Sequence, residues 1–191
     1  MKLISQAIKL FLILTVVTGI IYPLLITVLG QIIFPGQANG SLIKIDGKIV
    51  GSALLGQKFT DSKYFWSRPS AVDYNPLPSG GSNLGATSAA LRDSVLARKD
   101  VLERSNPGSI AVPSDLLFAS GSGLDPDISP EAARFQIDRV AQARGLDNDQ
   151  KKRVIELVEK YVKQPDSGIF GEPRINVLSL NLALDSTFAG E

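Results

Sequence analysis

The chain is 191 residues long and contains neither cysteine nor histidine. Disulfides, zinc sites built on those ligands, cysteine nucleophiles and the usual histidine acid–base catalysis are therefore excluded. Its 20 Lys and Arg residues against 19 Asp and Glu give a net charge of +1, a balance that draws nothing toward nucleic acid.

From Leu10 to Phe34 run 25 consecutive residues without a charge, whereas the apolar core of a cleavable export signal holds about 7 to 15. Residues 10–34 are therefore expected to be a retained transmembrane helix behind a short cytoplasmic N-terminus, residues 1–9. At about 1.5 Å per residue such a helix reaches about 37 Å, more than the roughly 30 Å of bilayer hydrocarbon, so tilt or a kink at Pro23 must absorb the excess. The counter-signal is Gly36-Gln37-Ala38, whose small residues imitate a cleavage site.

Lys2, Lys9 and the amino terminus precede the run, and the first cations after it are Lys44 and Lys48. The positive-inside rule then places everything after Pro35 outside the cytoplasm. With Lys2 and Lys9 set aside, 18 cations face 19 carboxylates there. Thr15, Thr18, Gly19, Tyr22 and Gly30 fall near one stripe of the helix, beside Pro23. That stripe reads either as a surface on which another helix packs closely or as the scattered Thr and Gly of an ordinary anchor.

Residues 35–191 suit one soluble domain of mixed α/β (α+β) character. Ile43 and Ile45 alternate with polar neighbours, Asp46-Gly47 supplies a two-residue turn and Ile49 begins the return, so a hairpin is expected. Residues 59–83 hold the single Trp and several Pro and Gly without either period, and read as an ordered irregular segment. Helices are expected over Ala86 to Arg104, from Pro130 to Gly145 with Ser129 as cap, and over about Asn148 to Gln164. In the second of these, Ala133, Phe135, Ile137, Val140 and Ala141 face the core, while Arg134, Asp138, Arg139 and Arg144 are solvated or paired. Residues 174–185 stay open between an alternating strand and a short helix capped by Asn176.

Two glycine-serine clusters, Pro78 to Gly85 and Ala119 to Pro126, precede expected helices. Converging backbone N–H groups there suit an anion, although neither cluster ends in the Gly-Lys-Ser/Thr of a P-loop, and capped turns into helices are the favoured reading of both. Arg68 is placed either to grip a carboxylate or phosphate or to stack on Trp66 or Tyr64. Gln136 is either a base or ribose reader or a surface glutamine. Asp125, Asp127 and Asp138 offer oxygen ligands for a hard cation at a spacing that matches no known calcium loop. From the residues alone, the reading is an anchored extracytoplasmic domain without catalysis, for which a stand-alone envelope module binding an anion or nucleotide is one alternative.

In order, "YPLLITVLGQ", "QANGSLI", "GSALLGQKF", "YFWSRPSA", "YNPLPSGGSNLG", "ASGSGLDPDISPEAARFQIDRVAQAR" and "FGEPRINVLSLNLALD" closely resemble the C subunit of the bacterial Kdp potassium-transporting P-type ATPase, nearly end to end. The resemblance implies a subunit that does no chemistry itself and has no tightly bound cofactor. Its implied partners are a channel-like potassium-translocating subunit, an ATP-hydrolysing P-type subunit and a very small membrane peptide, in the bacterial inner membrane. It implies a catalytic chaperone that raises the pump subunit's affinity for ATP through a ternary complex, with Ser79, Gly80, Gly81, Ser82, Asn83 and Gln136 as nucleotide contacts. The stripe of Thr15, Thr18, Gly19, Tyr22 and Pro23 would meet the channel-like partner. The charge pattern conflicts with direct ATP contact, since a domain outside the membrane does not reach cytoplasmic nucleotide. The reading favoured here is a clamp on the channel-like subunit near its ion entrance, with an indirect effect on nucleotide.

Overall fold

The computed structural model describes residues 2–108 and 111–188. The outer ends of the expected 1–9 and 35–191 segments therefore lie outside the described residues. Two compact units divide the chain, Met1–Ser52 and Ala53–Glu191.

The first unit opens with helix α1 (Lys2–Val16), a π-helical turn (Val17–Ile21) and helix α2 (Tyr22–Ile33). Together they make 32 helical residues, long and apolar enough to cross a membrane. The helix begins eight residues before the uncharged run expected from the sequence. Pro23 explains the π turn: it has no N–H to donate to the Gly19 carbonyl and its ring crowds that carbonyl, so the turn widens. The Tyr22 N–H instead reaches back five residues to the Val17 carbonyl. A short helix α3 (Pro35–Ala38) follows.

Strands β1 (Leu42–Ile45) and β2 (Lys48–Ser52) form the expected antiparallel hairpin. Asp46 and Gly47 both have positive φ, +49° and +76°, the conformation that makes Asp-Gly the favoured two-residue connection. A bulge between Ile43 and Lys44 shifts the register.

In the second unit, residues 53–88 are irregular, followed by helix α4 (Ala89–Ser105) and the short helix α5 (Ser114–Leu117). Helices α6 (Pro130–Ala143), α7 (Asn148–Tyr161) and α8 (Val177–Thr187) pack around a two-stranded sheet of β3 (Asp127–Ile128) and β4 (Ile175–Asn176). The result is an α+β body, as expected. Ala132, Ala133, Ile137 and Val140 of α6, Val154 and Val158 of α7, and Leu180 and Leu184 of α8 close the core with Phe65 and Ile175.

The helix ends follow from local chemistry. Ser129 accepts the Ala132 N–H at 3.0 Å and Pro130 takes the first position of α6. At its end Gly145 sits at φ +67°, while its N–H reaches the Gln142 carbonyl and the Leu146 N–H reaches the Ala141 carbonyl. This is the left-handed closure for which glycine is the favoured residue. Asp147 and Gln150 form a reciprocal capping box on α7, and Ser88 caps α4, whose first residue, Ala89, lies three positions after the start expected. Helix α7 stops before Pro165, which disfavours helical backbone at the residue preceding it. The segment left open resolves as both alternatives in turn: Asn176 closes β4 and caps α8 through the Ser179 N–H at 2.9 Å.

Candidate functional site

The irregular segment beside α6 buries backbone, and each buried N–H and C=O there needs a partner. Two side-chain amides supply them. Asn181 of α8 accepts the Phe65 N–H at 2.8 Å and donates to the Phe65 carbonyl at 3.0 Å. Gln136 of α6 does the same for Trp66, at 2.7 and 3.2 Å, and also donates to the Ala132 carbonyl at 3.1 Å. Each amide acts as a short piece of neighbouring strand.

Arg139 completes this network. Its guanidinium donates to the Ser62 and Tyr64 carbonyls at 2.6 and 3.0 Å, and to Gln136 Oε1 at 2.7 Å. It lies 3.9 Å from the centroid of the Trp66 ring. Burial pushes its pKa down to about 10, against a weaker upward pull from Asp61. The sequence placed Arg139 among solvated or paired residues; at 4% exposure it is neither. Stacking on Trp66 and Tyr64 likewise falls to Arg139 and Arg144, not to Arg68. Arg68 instead pairs with Asp125 at 2.8 Å.

The two glycine-serine clusters meet each other. The Gly80 N–H donates to the Ser122 carbonyl at 2.9 Å. A Cβ on Gly81 would stand 3.1 Å from the Gly121 carbonyl oxygen, and one on Gly123, whose φ is +69°, would stand 2.5 Å from Val72 Cγ2 and 2.8 Å from the Gly80 carbonyl oxygen. Two backbones thus run against one another where side chains have no room. Ser79, Ser82 and Asn83 are exposed on this ridge.

Gln136 is fully buried with its amide engaged inside the body, and none of its bonds reaches Ser79 to Asn83. The glycines of the two clusters face each other, the cluster of Ser79 to Asn83 has no lysine, and both ends of the Gln136 amide are engaged inside the body. Of the three aspartates, Asp125 and Asp127 stay together, the Asp125 carboxylate accepting the Asp127 N–H at 3.1 Å, while Asp138 lies elsewhere, on α6. Asp125 holds Arg68, Asp127 faces Arg174 at 3.3 Å, and Asp138 pairs with Lys151 at 2.8 Å. Among the described residues no acidic group of three suits a metal. Burial raises the Asp127 carboxyl above the ordinary carboxylate range, with Asn176 pulling against it.

Sequence reasoning also missed an open groove of about 520 Å³. Val101 and Leu102 of α4 form one wall, Phe59, Trp66 and Pro69 the other, and Leu116 contributes from α5. Its walls come from segments up to 57 residues apart, which no local period brings together; the signal available was the aromatic density of residues 59–74.

In the membrane-type helix, Thr15 and Thr18 donate their hydroxyls to the carbonyls of Phe11 and Leu14 at 2.8 and 2.7 Å. A Cβ on Gly19 meets nothing within 4 Å of its own chain. Tyr22 is exposed, and Pro23 opens α2.

A family profile for KdpC, described as the c chain of the K+-transporting ATPase, matches residues 4–186. The chain is 52% identical over 200 residues to the potassium-transporting ATPase KdpC subunit of Rhodopseudomonas palustris (strain BisB18), covering 97% of this chain and 98% of that one. It is 50% identical over 200 residues to the subunit of the same description from Bradyrhizobium diazoefficiens, at the same coverages. To that of Polaromonas naphthalenivorans (strain CJ2) it is 51% identical over 189 residues, covering 97% and 95%.

Proposed function

The chain belongs to the KdpC family of K+-transporting ATPase subunits, and on that premise we propose that it is a non-catalytic accessory subunit of an ATP-driven potassium uptake complex. Its partners in this reading are the channel-like potassium-translocating subunit, the P-type ATP-hydrolysing subunit and a very small membrane peptide. The helix from Lys2 to Ile33 stays in the bacterial inner membrane with its N-terminus inside, and residues 35–191 lie outside. Thr15, Thr18, Gly19, Tyr22 and Pro23 offer the face on which the channel-like partner packs.

One observation carries the mechanism: the Gln136 amide is spent on Trp66, Ala132 and Arg139. A nucleotide contact there would break four hydrogen bonds in a buried network, and unpaired buried polar groups are costly. The chain therefore acts by docking. It clamps the channel-like subunit near its ion entrance, and any gain in ATP affinity arises within the pump subunit, the only one to hold the nucleotide.

The test uses the absence of cysteine. A single Ser122→Cys substitution, exposed on the glycine ridge, is challenged in intact cells with a thiol reagent that crosses the outer but not the inner membrane. Labelling supports the external clamp. Protection until lysis, with an external control residue labelled, would sink it and restore direct access to cytoplasmic ATP.

A further inference from the structure

Helix α4 has 17 residues and a single buried side chain, Leu102. A helix of this length draws little stability from propensity and ordinarily depends on burying one face. Here Val101, which lines the groove beside Ala97 and Leu102, remains 52% exposed. Its charged side chains include the pairs Arg92–Asp93, Lys99–Glu103 and Arg104–Asp100. Those pairs are solvated, and they leave the apolar side of α4 facing the groove without a cover.

The polar groups around the groove are mostly committed inside the body. Tyr74 Oη donates to the Arg68 carbonyl at 2.5 Å, Ser67 Oγ donates to the Gln57 carbonyl at 3.0 Å, and Lys58 pairs with Asp73 at 2.6 Å. Arg98 differs. One of its nitrogens donates to the Leu117 carbonyl at 2.8 Å, and no carboxylate among the described residues pairs with it. A guanidinium carries five N–H donors in a planar fork, so most of its capacity is left over. An apolar trough with one uncompensated guanidinium at its edge is complementary to an apolar segment carrying one carboxylate.

We propose that this groove docks a segment of a partner subunit of the potassium-transport complex, its apolar side chains seated between α4 and the Phe59–Trp66–Pro69 wall and a neighbouring Asp or Glu paired with Arg98. The proposal rests on the reading of the chain as a subunit of that complex. It gives the clamp a contact: α4 completes its burial only in the assembly, and the Arg98 pair fixes the register of the bound segment.

The experiment places the photo-crosslinking residue p-benzoylphenylalanine at Val101 in the full-length chain, expressed with the whole transport operon and irradiated in membranes. Glu156, exposed on α7, is the control site. The expected result is an adduct from Val101, absent from Glu156, whose mass-mapped peptide belongs to another subunit of the complex and holds Asp or Glu beside apolar residues. Arg98→Glu should lower its yield about tenfold and Arg98→Lys should restore most of it, with the thermal midpoint measured for each to confirm folding. An adduct to lipid, or to a second copy of this chain, overturns the proposal. So does a yield indifferent to Arg98→Glu, or no adduct from an intact complex. Failure of the wild-type chain to co-purify with any transport subunit is a separate result, which removes the subunit reading and this occupant with it.

Discussion

The Gln136 side chain holds both backbone polar groups of Trp66, accepting its N–H at 2.7 Å and donating to its carbonyl at 3.2 Å. Gln136→Ala leaves both groups and one Arg139 nitrogen without their partner in a buried site. A loss of about 2–3 kcal/mol is expected, read as a drop of roughly 5–10 °C in melting midpoint for a body of this size. ATP affinity of the assembled complex, scaled to folded chain, should not change. A fall in that affinity at an unchanged midpoint would reverse the assignment.

The ridge glycines separate packing from ligand binding. Gly123→Ala meets Val72 and the Gly80 carbonyl, and demands a left-handed alanine, so it should cost about 2 kcal/mol or more. Gly80→Ala meets nothing within 4 Å and should leave the denaturant midpoint within error. If Gly80→Ala instead weakens ATP-dependent transport while stability holds, the ridge is a ligand loop and the packing account fails.

Asp127 gives a pH signature. Its carboxyl is raised by burial, so between the ordinary carboxylate value and the folded-state value the native chain binds more protons than the unfolded one. Stability contributed by this group is present below that window and is lost as pH rises through it. The difference in unfolding free energy, wild type minus Asp127→Asn, should therefore fall on going from below pH 4 to neutrality and then level off. A difference that grows with pH would show the Arg174 interaction dominating burial.

What the sequence made legible was local. Asp46-Gly47 announced its turn, Ser129-Pro130 its helix start and Gly145 its helix end, because each of those structures is dictated by residues within one turn of chain. The buried roles of Gln136 and Arg139 depend on carbonyls 70 to 77 residues away, and a helical period counts both residues as polar. The glycine clusters read as anion cradles or capped turns, and nothing in either said that each would pack its backbone against the other. The groove was hidden for the same reason: its walls are distant in sequence, and only the fold makes them neighbours.

Gly19→Leu isolates the membrane contact. Because a side chain at Gly19 meets nothing within its own chain, the helix should form unchanged, while a partner packed closely against it would be pushed away. Recovery of the complex from mild detergent is expected to fall roughly tenfold. Full recovery would remove this stripe from the interface.

The π turn at Val17–Ile21 acts as a one-residue insertion in a helix that advances about 100° per residue. Thr15 and Gly30, about 60° apart on a uniform helix, are therefore about 40° apart in the opposite sense, because positions beyond the turn are displaced by about 100° from where a uniform helix would put them. A scan of disruptive substitutions along Lys2–Ile33 should trace two separate arcs with a jump between them. The anchor can then present different azimuths in its two halves, and so engage two neighbours at two depths within one passage.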